Sequence, residues 1–262
     1  MISMYVQNET PQTEELAEQI HQLLTQATPW VETTSGLLLP TVRIELVGVE
    51  GLATAYAAFV RRQVERDTEG LDLTEQEHKK AAALPLTARM SARTIWMVEE
   101  SILIATSVGQ PSTLIVPEAL EHLGLTGAPD LLCDALVRAL ARQAQVAACG
   151  GTRIPAPEWP IDRPAQDAIT QLSDGHAQWT RDQATSQILG RPVDYTQRRR
   201  PRTFLMRRAF LRIAAAGAGR RRARATALVD KAVNAVGLDA FNQVWSISGL
   251  APTLGKLRCP ED

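Results

Sequence analysis

The stretch Thr41–Asp67, TVRIELVGVEGLATAYAAFVRRQVERD, changes its hydrophobic period partway along, and that change decides the fold class. From Thr41 to Val47 the apolar residues Val42, Ile44 and Leu46 alternate with Arg43 and Glu45. A period of two places one strand face on a core and the other toward solvent. From Gly48 onward Leu52, Tyr56, Phe59, Val60 and Val64 form one stripe, with Arg61, Arg62, Glu65 and Arg66 outside it. That is the pattern of an amphipathic helix. Composition then tips the balance toward helix: only 5% of residues are aromatic while alanine and leucine are abundant, and unbranched side chains lose little freedom in a helix. The expected class is α+β, mostly helical, with a small N-terminal sheet and a helical C-terminal part.

Upstream of this stretch, Leu16, Ile20, Leu23 and Leu24 mark a first helix from Glu14 that should end near Pro29. Downstream, Thr68–Ala83 is polar without clear period and reads as a loop or surface segment. Thr94–Ile104 and Ser112–Val116 are candidate strands joined by the turn-forming Gly109-Gln110-Pro111, able to pair as a hairpin. Pro129–Cys149 reads as a helix with Leu132, Leu136, Leu140 and Ala144 along one stripe and Gly150-Gly151 as its stop. A connector with Pro155, Pro157, Pro160 and Pro164 leads to a helix over about Ala165–Leu189, and basic helices follow from Thr203. The expected organisation is an α/β part over 1–150 and a helical part over 151–262 packed on it as one compact unit.

At 262 residues and 45% hydrophobic content the chain can bury a sizeable core. No stretch reaches the roughly 18–20 apolar residues that cross a bilayer, and Glu14, Glu15 and Glu18 stand where a signal peptide would be basic and then apolar. A cytoplasmic protein with no membrane partner is expected. Cys133, Cys149 and Cys259 show no paired spacing suited to zinc or redox work and read as small buried hydrophobes.

The net charge of −1 conceals an asymmetry, since residues 1–137 hold 8 Lys+Arg against 19 Asp+Glu and residues 138–262 hold 20 against 10. Either the second half offers a nucleic-acid surface or the two halves attract each other within one fold; we prefer the second. The eleven arginines from Arg198 to Arg224, interleaved with Phe204 and Phe210, invite the first. However, Phe204, Leu205, Phe210, Leu211 and Ile213 have helical spacing, and arginine stems cover apolar surface well, which argues against nucleic acid as a partner.

Two further segments carry a resemblance. Ser173-Asp174-Gly175-His176-Ala177 is similar to the Leu-Glu-Gly-His-Ala segment of an actinobacterial zincin-like metallopeptidase family. KAVNAVGLDAFNQVWSISGLAPT, Lys231–Thr253, resembles that family's Val-Gly-x-Asp-x-Phe-Asn-x-Val-Trp pattern followed by Leu-Pro-Thr. The resemblance is detailed over roughly residues 95–262 and extends to element order before that. It implies a zincin-like fold with an active-site-type helix, and it implies that a His-Glu-x-x-His motif should precede the proline-rich connector. Aligned on Gln145, that motif falls on Arg138-Ala139-Leu140-Ala141-Arg142.

Zinc needs two neutral imidazoles at i and i+4 on one helical face and a carboxylate to take a proton from the bound water. Arginine has no lone pair to give and Ala139 removes the base. The family's third ligand, a glutamate, is matched by Asp174, and a lone carboxylate does not hold zinc. His21, His78, His122 and His176 form no H-x-x-x-H pair. No metal and no cofactor are expected, and His176 reads as a hydrogen-bonded packing residue.

The resemblance thus implies a degenerate member, a pseudo-metallopeptidase whose former metal cleft binds a small anionic ligand or a protein partner. The candidate pocket residues are Arg138, Arg142, Asp174 and His176. Arg138 and Arg142 share one helical face, and Asp174 should project toward them so that guanidinium replaces metal. Two alternatives stay open: that Asp134 and Arg138 form a surface helical pair with Arg142 solvated, and that the cleft serves a metal-independent enzyme that tailors or cyclises a small molecule.

Overall fold

The computed structural model describes residues 3–8, 13–39, 41–150, 163–198 and 202–246, and the side chains of all these except 163–166, 197 and 202–218. Alternating Val42, Ile44 and Leu46 drive Thr41–Leu46 (β2) into the sheet, all three fully buried on the same face. Ser3–Asn8 (β1) lies parallel to it with Val6 opposite Ile44. Pro111–Ile115 (β4) adds parallel on the other side with Leu46 opposite Ile115, and Ile102–Ala105 (β3) closes the sheet antiparallel to β4. The mixed sheet has the order β1-β2-β4-β3. The hairpin expected between the last two strands is present, with Gly109 at φ 77° in its turn.

Each face of the sheet has its own core. Helices Glu14–Ser35 (α1) and Pro129–Ala148 (α5) bury Ile20, Leu24, Leu132, Leu136 and Leu140 with Val42, Ile44 and Ile115 on one face. Val49–Thr68 (α2) and Glu75–Ile95 (α3) bury Leu52, Phe59, Val60 and Ala92 with Leu103 and Leu114 on the other. Leu114 and Ile115 are successive residues of β4 facing opposite ways, so this central strand is apolar on both sides. Gln143 of α5, fully buried, reaches the sheet itself: its Nε2 donates to the Arg43 carbonyl and the Thr113 hydroxyl, and its Oε1 accepts from the Arg43 N–H. It satisfies the strand backbone just beyond the last β2–β4 pair.

The short helix Pro117–Leu123 (α4) leads from β4 to α5, and after α5 the chain forms Arg163–Leu189 (α6), a short 3₁₀ turn at Tyr195–Gln197, Arg202–Val236 (α7) and Leu238–Ser246 (α8). The whole is a mostly helical α+β fold. Helix α6 packs on α1, α5 and α7. At one crossing a Cβ placed on Gly175 would stand 2.7 Å from backbone atoms of Ala225, so this glycine is what lets α6 and α7 touch. Among the described residues no helix is long and apolar enough to cross a membrane.

Three local expectations are corrected. The first helix runs through Pro29 to Ser35, because burying Val31 and Ser35 against the core outweighs one lost backbone bond, and it stops at Gly36 with φ 65°. Residues 68–83 are not all loop: α3 starts at Glu75 behind a capping box in which Thr74 and Glu77 satisfy each other's backbone N–H groups. Its buried stripe consists of alanines, Ala81, Ala88 and Ala92, which leaves little hydrophobic contrast in the sequence. That helix also claims Thr94 and Ile95, leaving only Ile102–Ala105 as strand, and β1 was not anticipated. Pro155, Pro157 and Pro160 of the connector, Cys259 and the Leu-Ala-Pro-Thr end of the resembled tail lie outside the described residues, while Pro164 falls in the first turn of α6.

Candidate functional site

Helix α5 is buried nearly all round, yet it carries Asp134, Arg138 and Arg142 at four-residue spacing. Charges at core positions must be matched or they destabilise the fold by several kcal/mol. Arg138, 8% exposed, is matched across the helix interface: its Nη2 lies 3.4 Å from Asp174 Oδ1 on α6 and its Nη1 3.8 Å from Glu100 Oε2. Asp134 pairs not with Arg138 but with Arg181 of α6, and accepts a 3.1 Å hydrogen bond from the Tyr195 hydroxyl. At 1% exposure it is no surface residue, so the surface-pair alternative is wrong: α6 covers the helix face on which both residues stand and brings Asp174 and Arg181 to meet them.

Glu100, in the connection between α3 and β3, is the hub. Its carboxylate oxygens face Arg138 at 3.8 Å, Arg181 at 3.6 Å and Arg198 at 3.8 Å. Burial would push this carboxyl up, but the three guanidinium groups together hold it below the ordinary range. Its neighbour Glu99 goes the other way, because burial raises it and Arg138 and Arg142 offset only part of that rise. Against its own burial, Arg181 is held more firmly protonated by Asp134 and Glu100. The chain after α6 is tied over the start of α5 by the same chemistry, with Arg191 on Asp130, Tyr195 on Asp134 and Arg198 on Glu100.

Arg142 and Arg222 differ from the rest. Neither makes an ion pair among the described residues, and the Nε of each is buried without a hydrogen-bond partner. Burial pushes both guanidinium groups down from their ordinary value, with Asp174 and Glu99 acting on each from a distance and Glu100 acting on Arg222 as well. Arg142 is half-buried, so it is neither paired nor fully solvated. Tyr56, on α2, stands near it, its hydroxyl pushed up by burial.

His176 is not part of this cluster. It is fully buried on the opposite side of α6 from Asp174, with its ring 6.0 Å from Trp179, 5.5 Å from Phe241 and 5.2 Å from Trp245. Gln145 donates to its Nδ1 at 2.9 Å and to the Ser173 carbonyl at 3.0 Å, while the Ser173 hydroxyl donates to Gln145 Oε1 at 2.5 Å. This fixes the tautomer with the proton on Nε2. Burial pushes the imidazole down to about 3. It cannot reach a ligand beside Arg138. The tail segment that carries the resemblance supplies Phe241 and Trp245 to this cage, and its Asn242 donates to the Ser35 carbonyl at the end of α1.

The four sequence-derived positions thus separate: Arg138 and Asp174 meet, Arg142 lies within electrostatic reach of Asp174, and His176 points into the core. Glu99, Glu100, Asp134, Arg181, Tyr195, Arg198 and Arg222 were missed. The charges at 134, 138 and 142 on an otherwise apolar helix were a signal for Asp134, since such charges need buried partners. Among the described residues no three His, Cys, Asp or Glu side chains could together hold a metal ion, and the residues at the position of the absent motif do not fit one. No family model, no curated protein and no solved structure matches this chain.

Proposed function

We propose that the chain is a zincin-like scaffold without zinc-dependent peptidase activity, its former metal position filled by the Arg138–Asp174 pair and its cleft retained to bind a small anionic ligand or a protein partner. The observation that carries this reading is the cross-helix contact itself. It joins the two positions where the resemblance would put a first histidine ligand and a third, acidic one. The order strand, helix, strands and then a long helix over the sheet, followed by a helix that brings a carboxylate to it, agrees with the element order of zincin peptidases.

Elemental analysis of protein purified without added metal tests it. Zinc well below one equivalent, with no cleavage of a peptide library, is the expected result; stoichiometric zinc would sink the reading. One observation favours a second reading, a metal-independent enzyme: Glu99, raised by burial beside Arg142 and Tyr56, is suited to donate a proton to a bound small molecule. Glu99→Gln should then abolish turnover while leaving ligand binding intact.

A further inference from the structure

We propose that the cavity between α6 and α7 that contains Asp174 and Arg222 binds a small phosphorylated polyol. It rests on the reading that the cleft around Asp174 is kept for a ligand, and adds that ligand's class. The cavity has a volume of about 410 Å³ and is lined by Asp167, Thr170, Gln171, Asp174, Arg221, Arg222 and Ala225. That size suits a small metabolite.

The charge of the lining selects the anionic group. Asp174 is already engaged by Arg138, and Arg222 has no ion pair among the described residues. A guanidinium does not lose its proton to relieve burial, and Asp174, Glu100 and Glu99 act on the half-buried Arg222 only from a distance, so an anion in the cavity is its best match. Phosphate accepts from two arginines at once, and Arg221 is adjacent at the outer rim. A neutral sugar leaves Arg222 unmatched.

The remaining lining selects the body of the ligand. Ala225 is the one apolar side chain among the described lining residues, so an aliphatic or aromatic body would desolvate Asp167, Thr170 and Gln171 without replacing their hydrogen bonds. Hydroxyl groups would replace them: they donate to Asp167, and both donate to and accept from Thr170 and Gln171. The carboxylate of Asp167 repels phosphate, which orients the ligand with its phosphate on Arg221 and Arg222 and its hydroxyls toward the start of α6.

Calorimetric titration of the full chain with glycerol 3-phosphate, inorganic phosphate and glycerol tests this, with zinc content measured on the same preparation. Glycerol 3-phosphate should bind, inorganic phosphate about tenfold more weakly and glycerol not at all. Arg222→Gln should weaken glycerol 3-phosphate at least about tenfold. Arg220→Gln, an exposed residue that does not line the cavity, should leave it unchanged. Thr170→Val, nearly isosteric, should weaken glycerol 3-phosphate but not inorganic phosphate. Equal affinity for phosphate and its glycerol ester overturns the polyol assignment, and equal losses in the Arg220 and Arg222 variants overturn the site in favour of diffuse charge attraction. Zinc-free protein that binds none of the three overturns the ligand class alone, whereas stoichiometric zinc overturns the underlying reading whichever way the titrations run.

Discussion

Gly175→Ala sets two effects against each other, and the close crossing of α6 and α7 decides the sign. In an unpacked helix the change would stabilise by about 1 kcal/mol, since alanine is the better helix former. Here the new Cβ would meet the carbonyl carbon and oxygen of Ala225 at 2.7 Å and its Cβ at 2.9 Å. These are backbone atoms and a methyl on a 5% exposed residue, so no flexible side-chain end can swing away. The two helices must part by roughly the better part of an ångström, which loosens the packing of Val229 and the 3.0 Å bond from Trp179 to Asp230. Overpacking of this kind costs about 1–3 kcal/mol, and a backbone clash sits at the upper end. A net loss of about 2 kcal/mol follows, or roughly 4–8 °C in Tm for a chain of this size. Gly219→Ala, in α7 with nothing within 4 Å of its would-be Cβ, has no clash and should gain up to about 1 kcal/mol. Urea unfolding of both variants measures this. If Gly175→Ala is as stable as Gly219→Ala, α6 and α7 do not cross at backbone contact distance.

Two other perturbations probe the buried charges. Asp134→Ala strips Arg181 of its closest partner and should cost about 3–5 kcal/mol, whereas Asp134→Leu combined with Arg181→Met should recover most of that loss; a single variant near wild-type stability in urea unfolding would show the pair to be solvated. His176 is neutral in the fold and titrates at about 3, against 6.5 when unfolded. Its folded value is depressed, so the unfolded chain binds the extra proton, and stability present above pH 6.5 is lost as pH falls toward 3, at up to about 1.4 kcal/mol per pH unit. His176→Gln should flatten that part of the profile between pH 6.5 and 4, and an unchanged slope in the variant would assign acid sensitivity to other groups.

Period-based reading found the elements whose apolar contrast is strong. β2 and α2 follow from Thr41–Asp67, α5 from its leucine stripe, and α6 starts within two residues of its expected position. It missed α3, whose contacts are alanines, though Thr74 and Glu77 had the spacing of a capping box. β1 has only Met4 and Val6 turned toward the core, too few to stand out.

The same division holds at the site. That Arg138 and Arg142 share a face of α5 follows from residue number, because helical geometry is local. Which carboxylate each meets is not local. Asp174 is 36 positions from Arg138, Glu100 is 38 positions away, and Arg181 is 47 from Asp134. Sequence alone determined the helix that bears the charges, the absence of an i, i+4 histidine pair on it, and the class of fold. Only the tertiary structure decided that Asp134 turns to Arg181, that Glu100 gathers three guanidinium groups, that His176 faces the core, and that Arg222 lines a cavity. Those outcomes depend on how closely helices approach and how they are rotated about their axes, quantities set by packing across the whole core.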